Sequence, residues 1–155
     1  MEERLYFAYG SNLNREQMRR RCPSAQAIGR AYLPHYSLEF KANLNGVGVA
    51  NIRQEYGSYV EGALYQLTER CQNTLDGFEG HPYVYRRNMV KVFDYDHQEN
   101  WACTYILGRG EFAQPSDEYL DRIQDGYLDF GIPFERLAAA YEEAIIYLRD
   151  EDWLY

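Results

Sequence analysis

The stretch from Gln26 to Tyr65 does most to limit what this chain can become. Strand-type segments around 26–33, 36–42 and 47–52 follow one another, with only Pro34 and Asn43-Leu44-Asn45-Gly46 between them. Tyr59-Val60-Glu61-Gly62-Ala63-Leu64-Tyr65 is another strand by content. Before it, Leu5-Tyr6-Phe7-Ala8-Tyr9 reads as a buried strand stopped at Gly10. After it, Val84 to Phe93 and Trp101 to Leu107 read as a hairpin joined across Asp94-Tyr95-Asp96-His97-Gln98-Glu99-Asn100. These elements predict an α+β protein, a small mixed β-barrel-like curved sheet with flanking helices. The chain has 155 residues and no repeat, low-complexity linker or shift in composition, so residues 1–155 read as one domain.

The helices carry their own punctuation. Asn12 or Asn14 caps one that runs to about Arg21, with Gln17 completing a capping-box-like pattern and Cys22-Pro23-Ser24 ending it. Thr68 caps a second, whose apolar positions Cys71, Leu75 and Phe78 fall at i, i+4 and i+7, and Gly80 and Pro82 stop it. Pro115-Ser116 opens a third through roughly Asp129, and a fourth runs from Phe134 to about Arg149.

Charge and composition exclude several function classes. Sixteen Lys and Arg against 24 Asp and Glu leave a net charge of −8, the wrong field for a nucleic-acid or membrane-surface partner. The one basic cluster, Arg19-Arg20-Arg21, reads as a solvated helix C-terminus favoured by the helix dipole. No apolar run approaches the roughly 20 residues that cross a bilayer, and the N-terminus lacks the pattern of a secretory signal, so a cytoplasmic location is expected. Cys22, Cys71 and Cys103 are widely spaced and read as reduced, buried thiols. His35, His81 and His97 show no metal-ligand spacing, and neither metal nor cofactor is expected. Sixteen tyrosines against seven phenylalanines imply that some serve as amphipathic wall, in a core or a pocket.

No nucleophile elbow, Walker loop or dinucleotide fingerprint is present. Two other segments can carry chemistry. Tyr9-Gly10-Ser11-Asn12-Leu13 lies between a strand end and a helix start, where N–H groups without intrahelical partners can seat a carboxylate or a developing oxyanion. Its plainer reading is a turn and an N-cap. In Leu75-Asp76-Gly77-Phe78-Glu79-Gly80, Glu79 stands at a helix C-terminus with Asp76 three residues back. The helix dipole, like charge and nearby aromatic rings would each raise the Glu79 pKa, as a glutamate that works as base and then acid requires. The plainer reading is a solvated helix-end glutamate.

Together these segments resemble the γ-glutamylcyclotransferase-like family. Tyr6-Phe7-Ala8-Tyr9-Gly10-Ser11-Asn12-Leu13 looks like its nucleating loop, with Cys22-Pro23-Ser24-Ala25 at the family's spacing. Gly62-Ala63-Leu64-Tyr65 and Leu75-Asp76-Gly77-Phe78-Glu79-Gly80 match its middle section, and Tyr85-Arg86-Arg87 and Pro115-Ser116 with Tyr119 fall where further motifs lie. The resemblance spans Leu5 to about Pro133. It implies a pocket between loop and glutamate that binds a small γ-glutamyl substrate. Such enzymes cleave a γ-glutamyl amide by cyclisation, releasing 5-oxoproline and a free amine. Glu79 would be the general acid/base. Tyr6, Tyr9, Gly10, Ser11, Asn12, Leu13, Tyr85 and Tyr119 would bind substrate, with Tyr83 the alternative to Tyr85. The rival reading is a catalytically silent small-molecule binding module on the same fold. Monomer and homodimer both stay open.

The resemblance leaves the substrate's other half open, either an amino acid or a cationic amine of polyamine or aminoglycoside type. Asp94, Asp96, Glu99, Asp117, Glu118, Asp121 and Asp125 sit in loops or helix starts where an acidic rim would favour the cation.

Overall fold

The computed structural model describes residues 4–108 and 110–152, the last five of these as backbone. Of the domain expected over 1–155, Met1–Glu3, Arg109 and Trp153–Tyr155 lie outside the described residues. In chain order the elements are β1 (Arg4–Ala8), a single 3-10 turn (Ser11–Leu13), α1 (Arg15–Arg21), β2 (Gln26–Ala42), β3 (Gly48–Leu67), α2 (Glu69–Glu79), β4 (Tyr85–Asp94), β5 (Glu99–Leu107), α3 (Asp117–Phe130) and α4 (Glu135–Asp152). The five strands close a barrel in the order β1-β3-β2-β4-β5. All neighbours are antiparallel except β1 and β5, whose parallel contact at Tyr6 and Cys103 closes the ring and makes the barrel mixed. An α+β barrel with four flanking α-helices is what the element order predicts.

One difference lies in the long hairpin. Four separate strands are expected between residues 26 and 65, yet β2 and β3 run unbroken for 17 and 20 residues. Pro34 does not end a strand, because the ladder absorbs the disruption as a bulge. Pro34 pairs with Tyr59 and Tyr36 with Gln54, so His35 alone faces Glu55–Ser58. His35 takes a left-handed conformation with φ 65°, stacks on Tyr56 at 4.9 Å, and its Nδ1 accepts the Gly57 N–H at 3.2 Å.

Inside the barrel, Phe7, Phe40, Ile52, Leu64 and Val92 form the centre of the core. β4 shows the expected alternation, with Val90 and Val92 inward and Met89 and Lys91 outward. α2 closes one end through Cys71 and Leu75, both buried. Phe78, the third apolar position of that helix, does not join them and is 59% exposed, at the wall of a cavity. Among the described residues no helix is long and apolar enough to cross a membrane.

Candidate active site

The loop after β1 is rigid because its side chains bind one another. Asn14 caps α1, its side chain accepting the Gln17 N–H at 3.0 Å. Gln17 does not return the bond to Asn14. Its amide donates instead to Ser11 Oγ at 2.9 Å and Asn12 Oδ1 at 3.0 Å, so the residue of the expected capping box braces the loop. Asn12 Nδ2 donates to the Tyr6 hydroxyl at 3.0 Å. The Leu13 and Asn14 N–H groups are spent on the carbonyls of Gly10 and Ser11. Those of Gly10, Ser11 and Asn12 have no acceptor among the described residues. A Cβ at Gly10 would stand 3.1 Å from that of Ala50, so glycine lets the loop press against β3.

Across from the loop lies a cavity of about 300 Å³. Tyr6, Tyr9, Gly10, Ser11, Asn12, Glu79, Tyr85 and Tyr119 all line it. Leu13 does not. Its side chain is wholly buried in the core, so it anchors the loop from beneath. Tyr83 is 94% exposed and outside the cavity, whereas Tyr85, the first residue of β4, points in.

Glu79 reaches the cavity because of how α2 ends. Gly80 turns left-handed at φ 65°, its N–H donates to Gly77 O at 3.3 Å, and the His81 N–H donates to Asp76 O at 2.9 Å. Glu79 is thus the last helical residue, held over the cavity. A Cβ at Gly80 would meet Val84 Cγ2 at 2.8 Å. Gly80→Ala is therefore expected to cost about 1–2 kcal/mol of stability, read in thermal or urea denaturation. It should also lower turnover, because Glu79 shifts with the cap. Unchanged stability would show that the turn relaxes without strain.

Burial pushes the Glu79 carboxyl up to about 7, and the Arg21 guanidinium opposes that rise only in part. The repulsion expected from Asp76 is not among the causes. Asp76 faces away, accepting from the Tyr105 hydroxyl at 2.6 Å and lying 3.1 Å from Arg87 Nε. Tyr6, Tyr9, Tyr85 and Tyr119 all feel the Glu79 charge and are raised chiefly by burial, Tyr119 to about 12. Four neutral phenols therefore ring one carboxyl.

Their hydrogen bonds divide them into pairs. Tyr9 donates to the Tyr105 carbonyl and Tyr85 to the Ala50 carbonyl at 2.8 Å, which spends both protons on main chain. Tyr119 accepts the Ala50 N–H at 3.0 Å, and Tyr6 accepts from Asn12, so these two keep a proton to donate into the cavity. Tyr119 is fixed by the Ser116 cap, whose side chain accepts the Tyr119 N–H at 3.2 Å. Phe78, expected beside the Glu79 carboxyl, also lines the cavity, as do Arg21, Tyr105 and Ala50, which no sequence motif marks. Arg21 looked like the end of a solvated basic helix. Its place after the Gly-Ser-Asn loop, one helix turn beyond Gln17, was the available signal.

The acidic residues expected at the rim do not line the cavity. Asp94, Asp96 and Glu99 sit at the β4–β5 turn, roughly 30 Å along β4 from Tyr85. Asp117, Glu118, Asp121 and Asp125 lie on α3, and none lines the cavity. Among the described residues, the charged ones that do are Glu79 and Arg21.

Known proteins are similar to this chain in sequence and fold. The sequence model of a family described as gamma-glutamyl cyclotransferase, AIG2-like, matches residues 6–129. The chain is similar to the gamma-glutamylcyclotransferase of Homo sapiens, 32% identical over 160 residues, covering 98% of this chain and 82% of that one. It is 34% identical over 139 residues to the gamma-glutamylcyclotransferase of Mus musculus, covering 84% and 73%. A solved structure described as gamma-glutamyl cyclotransferase superimposes with a TM-score of 0.81 at 31% identity, over 92% of this chain and 86% of that one.

Proposed function

The chain belongs to the gamma-glutamyl cyclotransferase, AIG2-like family, and from that premise we propose that it cleaves γ-glutamyl amides of amino acids by internal cyclisation, with Glu79 carrying the proton. The protein is an enzyme with γ-glutamylcyclotransferase activity. The observation that carries the mechanism is a half-buried glutamate, its carboxyl pushed up to about 7 by desolvation, facing loop N–H groups across a cavity.

In the reaction the substrate's α-amine attacks its own γ-carbonyl. A five-membered ring forms once the cavity holds the folded conformer, an intramolecular step that gains heavily from orientation. Glu79 as carboxylate takes a proton from the attacking nitrogen. The tetrahedral intermediate then collapses, the amide C–N bond breaks, and Glu79 returns that proton to the departing nitrogen. No water is consumed. The N–H groups of Gly10, Ser11 and Asn12 support binding of the α-carboxylate or the oxyanion. Tyr6 and Tyr119, with protons to donate, supplement them.

For the leaving half, the cavity favours an amino acid over a polyamine-like or aminoglycoside-like cation. Among the described residues its fixed positive charge is Arg21, and its one carboxylate is half-protonated near neutrality. Release of 5-oxoproline from γ-glutamyl-alanine and from a γ-glutamyl polyamine tests both points. Turnover is expected for both, with kcat/KM higher for the alanine derivative. A cationic preference that shrinks with salt would reverse the substrate choice. Binding without release of 5-oxoproline would make the protein a silent binding module. The three buried thiols are unpaired, in keeping with a cytoplasmic enzyme.

A further inference from the structure

We propose that a groove beside the catalytic cavity, walled by Arg21 and Phe78, is a subsite for a carboxylate on the leaving half of the substrate. The enzyme would thereby select γ-glutamyl amides whose released amine is itself an acid, as in an amino acid or a peptide. The inference rests on the γ-glutamyl reading above and extends it to the part of the substrate that the catalytic groups do not touch.

A second depression of about 380 Å³ shares Arg21 and Phe78 with the catalytic cavity, so the two are continuous across that pair. Asn14, Glu16, Gln17, Arg20 and Arg122 complete its walls among the described residues. Its charge is unlike that of the acidic surface elsewhere. Arg20 is neutralised by Glu16 at 2.5 Å, and Arg122 reaches Glu118 at 3.5 Å. Arg21 forms no ion pair among the described residues. One of its N–H groups goes to Asn12 Oδ1 at 3.1 Å, and its guanidinium lies 4.5 Å from the Phe78 ring centroid. The ring orients the cation, and the rest of the planar fork stays open for two parallel bonds to a carboxylate. This accounts for Phe78 lying exposed at the mouth instead of joining the core.

The direction of the substrate follows from the chemistry. Glu79 must reach the departing nitrogen, and Phe78 is its chain neighbour. The glutamyl half occupies the side of the tyrosines and the loop N–H groups. The leaving half is then carried over Phe78, where Arg21 is the first charge it meets.

The test compares γ-glutamyl-alanine with γ-glutamyl-alaninamide, which differ by one charge at the far end. The ratio of their kcat/KM values is internal to each protein, so general damage from a substitution cancels, as does the differing basicity of the two amines. In wild type at low salt the ratio should exceed that of Arg21→Gln by roughly tenfold, the lower end for a charge-assisted hydrogen bond at a half-exposed site. Arg21→Lys, which keeps the charge and loses the fork, should fall between them, and Arg122→Gln should change the ratio less. An unchanged ratio in Arg21→Gln overturns the subsite. So does a parallel loss for both substrates, which would assign Arg21 to the glutamyl half. If wild type releases 5-oxoproline from neither compound, the catalytic reading fails separately. Calorimetric binding of the two compounds then decides the subsite. A carboxylate preference removed by Arg21→Gln sustains it, and equal affinities overturn it.

Discussion

Replacing Glu79 with glutamine is expected to lower turnover of γ-glutamyl-alanine by roughly 10²–10⁴-fold, the range typical of a lost general acid–base group. The amide keeps the size and most of the hydrogen-bonding capacity of the carboxyl, and Tyr6, Tyr9, Tyr85 and Tyr119 still enclose it. The variant can neither accept the proton of the attacking amine nor return it to the leaving nitrogen. Substrate binding should weaken far less, because the loop N–H groups and Arg21 are untouched. The loss should therefore appear in kcat more than in KM. With the Glu79 carboxyl pushed up to about 7 by burial, wild-type kcat/KM should rise with pH through that value as the carboxylate forms. In the glutamine variant that ascending limb should vanish. Retention of more than about a tenth of wild-type turnover, or an unaltered limb near 7, would place the base elsewhere.

The parts of the fold legible in the sequence are those set by local rules. The caps at Asn14, Thr68 and Ser116 and the stops at Cys22 and Gly80 mark helix ends that the structure keeps. The β4–β5 hairpin and the short strand ending before Gly10 follow from content and turns in the same way. What local rules misjudge is whether a ladder survives an interruption. Pro34 looks like a break because proline cannot donate, but a neighbouring strand with four residues to spare closes around His35.

The site divides along a similar line. Glu79 and the Gly10–Asn12 loop stand out because motif and backbone chemistry coincide there, and the structure brings both to one cavity. The direction of the Glu79 pKa was legible as well, and so was one of its three expected causes, burial; the like charge of Asp76 was misplaced. Helix geometry puts Asp76 on the same face, and only tertiary contacts with Arg87 and Tyr105 turn it away. Arg21, Tyr105 and Ala50 were invisible for that reason. Ala50 matters through its main chain, whose N–H and carbonyl hold Tyr119 and Tyr85 in place, and no side chain announces it. The acidic residues failed in the opposite direction. Their charge was plain, but the length of β4 puts three of them at the far end of the barrel.

The same glutamate should be a measurable burden on stability, with a sign that follows from its titration. Its carboxyl has an ordinary value of 4.5 and rises to about 7 in the fold through burial. Between those values the native state binds more proton than the unfolded chain, so stability falls as pH rises across the window. Below 4.5 the group is neutral in both states and costs nothing. Above 7 it is ionised in both, and the folded protein holds a charge in a poorly solvated cavity. A shift of that size corresponds to about 3 kcal/mol, partly relieved in practice by water that enters the cavity. Glutamine is neutral at every pH and escapes the penalty. Glu79→Gln should therefore match wild type near pH 4 and become the more stable protein by pH 8, by up to about 3 kcal/mol. Urea midpoints of the two proteins across this range provide the measurement. Their difference isolates Glu79, because the other carboxylates titrate alike in both. A difference that stays flat from pH 4 to 8 would mean that the folded protein solvates the Glu79 carboxylate as well as water does. The residue would then lack the near-neutral pKa on which its role as proton shuttle depends.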